Sequence, residues 1–589
     1  MAYVIGRHLN RSCVIMGSDD PRVPPELFSA SVIKPDLSGF PYPLPCRKDK
    51  YFAFVADGDV AWYAADGGLT RYDKAAARDA DRLMYFSAER DLPDNHVRHI
   101  LLKDGVLWAE CATGVAAISM IPLTGEEKAD VLLKETLECV DRRGMVSQRT
   151  LAAARDLSSA HPYGHSDNDG GFTAAFVIGE VFHYRCLLKE LGPDDPKTVG
   201  QRELTMRSLE ACLLLMKIHG RGDGYIARSY ITKDEVLPSD GLFFRKQGGF
   251  SVCLDTPYAR ELGISGKSFP TPDPVPDRLA ALYRAEGYTD DDIIWKGDTS
   301  SDEVTLHFLM LLVAWDYFAE DDKELRDFIC GCVTDTISHI VEHGFRLLEL
   351  DGRPTTWARW DPEYFDSVFG HVDACLNSAE MLMYLNVAHH ITGDGRWREV
   401  YDHLIRDLHY ADLPLLHYDR HAHECAARVR DCAEEMMYGD NMLAVASFCG
   451  LLATEKDPVL RDKYERAVLT WDHSLLREVT PGYTFPLAAV SDRFGFDGEA
   501  TVDWFRHINI SRLASSVSLS GRLDVPVRML KGGYKETGWL LQPDERFISK
   551  YDRDPLEYKD EDSGGLYCVE SCYFYTFAYW IGRYFGFVE

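Results

Sequence analysis

The chain predicts a mainly α protein, an (α/α)6 barrel or toroid of six helical hairpins, carrying a small N-terminal β appendage. Three observations lead there. From about residue 126 the hydrophobic pattern has a helical period. That pattern alternates between amphipathic helices and helices apolar on every side, which must be buried all round. Before residue 126 it consists of short alternating runs separated by Asp-Gly and Gly-Gly, the punctuation of antiparallel strands. The expected division is a β-rich region over 1–125 and the helical domain over 126–589.

Residues 1 to about 50 carry Pro and turn signals without a clear period. A repeat follows. Asp57-Gly58 leads to Trp62 and then Gly68-Leu69, and Asp104-Gly105 leads to Trp108 and then Gly114-Val115, with Trp and Gly at the same offset in both copies. This unit resembles the repeats of two-component-regulator β-propellers, in which each repeat is one antiparallel blade. A propeller needs at least four blades. Two cannot close a ring, so the region reads as a β appendage packed on the helical domain, with no sensory role inferred. The wholly apolar helices are expected over 172–187, 304–318, 374–390, 442–452, 502–513 and 566–585, with amphipathic partners such as 203–218, 324–343, 397–407 and 458–469. The stretch 223–292, rich in Pro, Gly and aromatics, is too long for an ordinary connection and reads as a cleft-shaping loop.

Composition narrows the function. At 589 residues the chain exceeds what one compact core usually serves. Its 94 acidic against 64 basic residues give a net charge of −30, which repels phosphate backbones and anionic membrane surfaces, so neither nucleic acid nor membrane is expected as a partner. The fifteen Cys include pairs (Cys330 and Cys332, Cys425 and Cys432, Cys568 and Cys572) at spacings that match no zinc framework, and they read as reduced core thiols. The opening MAYVIGRHLNRSC lacks a sustained apolar segment with a cleavage site, and the chain has no run of about eighteen apolar residues. A cytoplasmic location is expected. No phosphate loop, dinucleotide fingerprint or nucleophile elbow is found, so no cofactor is expected. His417, His421, His423, Glu424 and Cys425 are metal-capable but match no zinc signature, and read as a polar loop between helices.

If the buried helices run parallel, the loops before them line one mouth. The first reads His165-Ser166-Asp167-Asn168-Asp169-Gly170-Gly171, and the second Trp295-Lys296-Gly297-Asp298-Thr299-Ser300-Ser301-Asp302-Glu303. The third runs from Thr356 through Trp357, Arg359, Trp360, Asp361, Glu363 and Tyr364 to His371, Asp373 and Asn377. The fourth holds Tyr438, Gly439, Asp440 and Asn441, and the fifth Asp503, Arg506 and His507. Facing carboxylates across such a mouth suit glycosidic-bond hydrolysis, in which one acid protonates the leaving oxygen and one carboxylate activates water or attacks carbon. Ser300 and Glu303 have the spacing of a capping box, so Glu303 reads as a helix-start residue, and Asp169 and Asp440 read equally as caps. Asp302 lies in a first turn, where the helix dipole favours its ionised form. The catalytic candidates are therefore Asp298 and Asp302, with Asp167 and Glu363 as partners. Substrate-binding candidates are Asn168, Asp169, Arg228, Trp295, His307, Arg359, Trp360, His371 and Asp440, the Trp for stacking on sugar faces and the Arg for a uronate carboxylate.

The segments DLSSAHPYGHSDNDGGFTAAFVIGE, WKGDTSSDEVTLHF, LELDGRPTTWARWDPEYF, LNVAHHITGDGRW and QPDERFISKYDRDP, with the aromatic C-terminal helix, resemble a bacterial family that joins regulator-propeller repeats to a six-hairpin glycosidase-like helical domain. The likeness spans roughly residues 50 to 589. It implies the fold and an enzyme of glycosidase class, without a substrate. The sequence departs from that pattern at Leu306, where a small residue is expected before His307. The reading is thus a glycoside hydrolase for a small oligosaccharide or glycoside, β-linked or uronate-containing. Two alternatives stand beside it. One is a uronate lyase or sugar epimerase on the same barrel, using Tyr364 or His371 with Arg359 and Asn168. The other is a non-enzymatic carbohydrate-binding protein.

Overall fold

The computed structural model describes residues 2–30, 51–160, 167–368, 370–416, 438–471, 480–529, 535–561 and 564–589. It is helix-rich, 45% helical with fifteen α-helices among the described residues, and none of its sheets closes into a barrel.

The N-terminal region builds two four-stranded antiparallel sheets. Strands β2 (Tyr51–Asp57), β3 (Val60–Ala65), β4 (Gly68–Asp73) and β5 (Leu83–Phe86) form one in sequential order. Strands β6 (Val97–Lys103), β7 (Val106–Cys111) and β8 (Val115–Leu123) form three-quarters of the other, and its fourth strand is β1 (His8–Met16), paired with β8 from His8↔Leu123 to Met16↔Val115. The Asp-Gly turns of the repeat sit at the first hairpin of each sheet: Asp104 and Gly105 both have positive φ, as a two-residue hairpin turn of matching twist requires. The repeated glycines also have a shared cause. A Cβ on Gly68 would lie 2.5 Å from the Phe86 carbonyl oxygen of β5, and one on Gly114 would lie 2.7 Å from the Met16 carbonyl oxygen of β1. β1 therefore occupies in the second sheet the place that β5 holds in the first. Trp62 and Phe86 of one sheet share a hydrophobic cluster with Leu107, Ala109 and Ile118 of the other.

Twelve helices carry the rest: α1 (Gly125–Cys139), α2 (Asp169–Leu191), α3 (Pro196–Leu215), α4 (Ser301–Tyr317), α5 (Lys323–Glu342), α6 (Gly370–Thr392), α7 (Gly395–Leu408), α8 (Tyr438–Thr454), α9 (Pro458–Thr470), α10 (Pro481–Val490), α11 (Gly498–His507) and α12 (Tyr573–Tyr584). The even-numbered helices are buried nearly all round, except α8 and α10 at their far ends, and the odd-numbered ones bury a single stripe. α2 packs on α12 and α4, α4 on α6 and α8, α6 on α8, α8 on α10, and α10 on α12. Gly179 explains how α2 and α12 come so close, since a Cβ there would meet the Phe577 backbone at 2.9 Å.

The expected buried helix at 502–513 is not where the sequence placed it. The chain is helical only to His507, in the half-buried α11, and the fifth buried helix is α10. Pro481 at its first turn costs nothing, because the first N–H groups of a helix lack intrahelical partners anyway, and Pro486 interrupts a single bond. The stretch 223–292 is likewise not a bare loop. It folds, with the segment after it, into a five-stranded antiparallel sheet of β9 (Ser229–Thr232), β10 (Phe243–Gln247), β11 (Phe250–Cys253), β12 (Ser268–Pro270) and β13 (Ile293–Lys296), in the order β9-β13-β10-β11-β12. β13 ends four residues before α4 and so fixes the turn that opens that helix. The described cysteines are free thiols, and no helix among the described residues is long and apolar enough to cross a membrane.

Candidate functional site

The N-terminal turns of α2 and α4 lie side by side because Gly170 and Gly171 carry no side chains. A Cβ on Gly170 would be 2.8 Å from Leu215 and 3.1 Å from His307, and one on Gly171 would be 3.1 Å from Leu306. At the start of α4, Ser300 and Glu303 form the expected capping box, with Glu303 Oε2 accepting the Ser300 N–H at 3.1 Å. Capping does not exhaust Glu303. Its Oε2 also faces Arg228 Nε at 3.4 Å, and the Asn168 carboxamide, turned with its nitrogen toward Glu303, donates to Oε1 at 3.3 Å. Complete burial pushes the Glu303 carboxyl up to about 8; Arg228 opposes this and the neighbouring Asp302 adds to it. Asp302 stays partly open to solvent, and its Oδ1 accepts the Ser300 hydroxyl at 3.0 Å. Its low-dielectric surroundings raise it too, against the pull of Arg228 and with a push from Asp552.

A third acid rises from α6. Glu380 is fully buried and accepts the Trp360 indole N–H at 2.8 Å, while its other oxygen is buried without a hydrogen bond among the described residues. Burial pushes it up to about 8, the Trp360 bond counteracts, and Asp302 and Asp440 push further. Asp552, from the segment that crosses the ends of α10 and α12, has a buried Oδ1 that also lacks a hydrogen bond among the described residues. Asp302 thus sits within electrostatic reach of both Glu303 and Glu380 in a poorly solvated place. Like charges so placed do not all ionise, and the group retains protons at neutral pH. Asp302 is the member partly open to solvent.

Most other sequence candidates have structural work. Asp298 has positive φ (54°), and its carboxylate is used up as a clamp: Oδ1 accepts the Thr356 N–H at 2.8 Å, and Oδ2 accepts the Thr356 hydroxyl at 3.0 Å and the Tyr258 hydroxyl at 3.2 Å. Buried Glu349 holds the Asp298 N–H from below at 2.7 Å. Asp169 is 2% exposed, and its Oδ2 both pairs with the buried Arg142 at 2.6 Å and accepts the Ser229 hydroxyl at 2.6 Å, which ties it into the structure. Glu363 is 83% exposed and paired with Arg346 on the surface. Asp167 is exposed and held by Lys296, and its carbonyl accepts from Arg228.

Of the aromatic candidates for sugar stacking, Trp357 is 53% exposed, whereas Trp295 and Trp360 behave as core. Trp295 stacks on Phe244 at 4.4 Å and donates to Ser251, and Trp360 is fully buried behind Glu380, so neither face meets a sugar. His307 is fully buried, bonded to the Glu303 and Cys212 carbonyls, and pushed down to about 4 by burial; it lines no opening. Arg359 is paired with Asp361 and lies 4.6 Å above Tyr364. His371 is exposed in the first turn of α6. Asp440 lies partly exposed in the first turn of α8, close enough to Glu380 to act on it. Asp503, Arg506 and His507 lie away from the mouth: they bind Arg78, Asp81 and Asp544 at the seam with the β region. The metal-capable residues His417, His421, His423, Glu424 and Cys425 lie outside the described residues, as do His165 and Ser166.

Asn168, Arg228 and Asp302 are therefore brought together as expected, and Glu303, Glu380 and Asp552 join them. Glu380 carried a readable signal, one carboxylic acid within the largely apolar run ACLNSAEMLMYLNVA, where an unpaired charge is costly. No known protein family matches this chain, and no curated protein or solved structure resembles it significantly.

Proposed function

We propose that the chain is a glycoside hydrolase acting on a small oligosaccharide or glycoside, with its helical part an (α/α)6 toroid. The packing order of the six buried helices, each on the next and α12 back on α2, supports the toroid reading. The observation that carries the chemistry is the proton-holding group of Asp302, Glu303 and Glu380 around one solvent-reachable carboxyl. Cleavage of a glycosidic bond needs an acid that is still protonated near neutral pH and a second, ionised carboxylate. In this reading Asp302 donates the proton to the leaving oxygen and is resupplied from Glu303 and Glu380. Asp552, whose buried Oδ1 accepts no hydrogen bond among the described residues, is the partner that activates water or attacks carbon. Arg228 and Asn168 keep Glu303 in place.

The test is a panel of aryl glycosides and short oligosaccharides, including β-linked and uronate-containing ones, with the wild type, Asp302→Asn and Asp552→Asn. Each variant is expected to lose about a hundredfold or more in turnover, the usual scale for an acid or base group. Undiminished cleavage by both variants would remove these carboxylates from the mechanism. Absorbance from a newly formed unsaturated uronate would assign the reaction to elimination instead.

A further inference from the structure

The seam between the β region and the helical domain holds a cleft of about 920 Å³, within the range of small-molecule sites and at the kind of junction where they occur. None of its lining residues belongs to the carboxylate group around Asp302. Its acids are already engaged. Asp91 accepts from Arg11 at 3.2 Å and from the Ser87 N–H at 3.2 Å, Asp156 accepts the Ser158 N–H and hydroxyl, and Glu89 accepts the Ser518 N–H at 2.6 Å. Two of its guanidinium groups differ in that they bond only main-chain oxygens. Arg155 donates from Nε to the Glu89 carbonyl at 3.1 Å and from one terminal nitrogen to the Leu92 carbonyl at 3.0 Å. Arg90 donates to the carbonyls of Asp544 and Ala514. Each keeps a terminal nitrogen with no acceptor among the described residues. Burial lowers both, Arg90 to about 10, although Asp91 and Asp544 pull Arg90 and Glu89 and Asp91 pull Arg155 the other way. Beside them stand the Asn509 carboxamide and an apolar wall that includes Ile15, Leu157 and Leu566.

We infer that this cleft is a binding site for a compact organic oxyanion, a carboxylate or a phosphate ester, gripped by Arg90 and Arg155. The planar forks of two arginines match the oxygens of either group. Asn509 is placed for a hydroxyl, and the apolar wall covers the organic body. Occupancy would tie the β region to the helical domain, because the cleft is lined from both. The inference is independent of the reaction proposed for Asp302.

The full chain is titrated with glucuronate, glucose 6-phosphate, inorganic phosphate and glucose, by calorimetry and by thermal melting. At least one of the two organic anions is expected to bind and raise the melting temperature, as any ligand of the folded state does, while glucose does neither. Arg155→Gln is expected to weaken that binding about tenfold, the scale of one charge-assisted hydrogen bond. Asn509→Asp, which adds a repelling charge without removing a structural bond, is expected to weaken it at least as much while melting like the wild type. No response to any charged probe, or unchanged affinity in the Asn509→Asp variant, would overturn the assignment. Inorganic phosphate binding as tightly as either organic anion would overturn the claim that the site is built for an organic body.

Discussion

His507 offers the sharpest quantitative test of how the β region is held to the helices. It is buried at the end of α11, with Nδ1 3.2 Å from Asp544 and Nε2 3.4 Å from Asp81, while Arg506 and Arg11 share the same two carboxylates and the buried Lys128 lies close by. Burial alone would lower the imidazole, but the two carboxylates outweigh it and lift it from 6.5 to about 9. A value raised in the folded state means that the imidazolium stabilises fully below pH 6.5 and that the contribution disappears as pH climbs through 9. At pH 7 this amounts to about 2 to 3 kcal/mol, on the order of 1.4 kcal/mol per factor of ten. The measurement is urea denaturation of the wild type and His507→Asn at several pH values from 7 to 10. The difference between the two proteins is the quantity to follow, because Glu303 and Glu380 add their own pH dependence to both. That difference should shrink by about 2 to 3 kcal/mol across the range. A difference that stays constant from pH 7 to 10 would refute the claim that His507 is charged in the folded protein.

Other outcomes follow from the same geometry. Asp169→Asn removes the nearer of the two carboxylates paired with the buried Arg142, leaving Glu235 at 3.9 Å, and should cost about 3 kcal/mol in denaturant unfolding, whereas Glu363→Gln on the surface should change stability by less than about 1 kcal/mol. Gly179→Val should lower stability by about 1 to 3 kcal/mol, as overpacking does, since its side chain would have to enter the α12 backbone. Trp360→Phe removes the indole donor that holds Glu380 down, so the carboxyl should titrate above 8 by carbon-13 NMR of labelled Glu, with a stability loss of about 1 to 3 kcal/mol for the lost buried bond.

The sequence carried the helix alternation and the two blade-like repeats, because side-chain period and turn chemistry are local properties. It did not carry α10, whose two prolines disguise a buried helix, nor the N-terminal strand of the second sheet, whose partner lies about a hundred residues away. The site was legible as a place and less so as a set of residues. Loops before buried helices do collect Asp302 and Asn168, and the 223–292 stretch adds Arg228. Whether an acid there acts as clamp, ion-pair partner or proton carrier depends on who sits opposite, and neither the Thr356 bonds that disarm Asp298 nor the Arg142 that occupies Asp169 are neighbours in sequence. Glu380 lay in view inside an apolar helix, but only its three-dimensional company makes it an acid of this site.

The pairing of β1 with β8 also sets an order of events during synthesis. A strand made among the first residues finds its partner only after residues 115–123 have emerged, and at the roughly 5–20 residues per second of translation that is a wait on the order of 5 to 20 s. Through that interval β1 is an unpaired edge able to join a wrong strand. The arginine cleft is completed later still, because Asn509, Ile510 and Leu566 of its wall are made long after the second sheet can close.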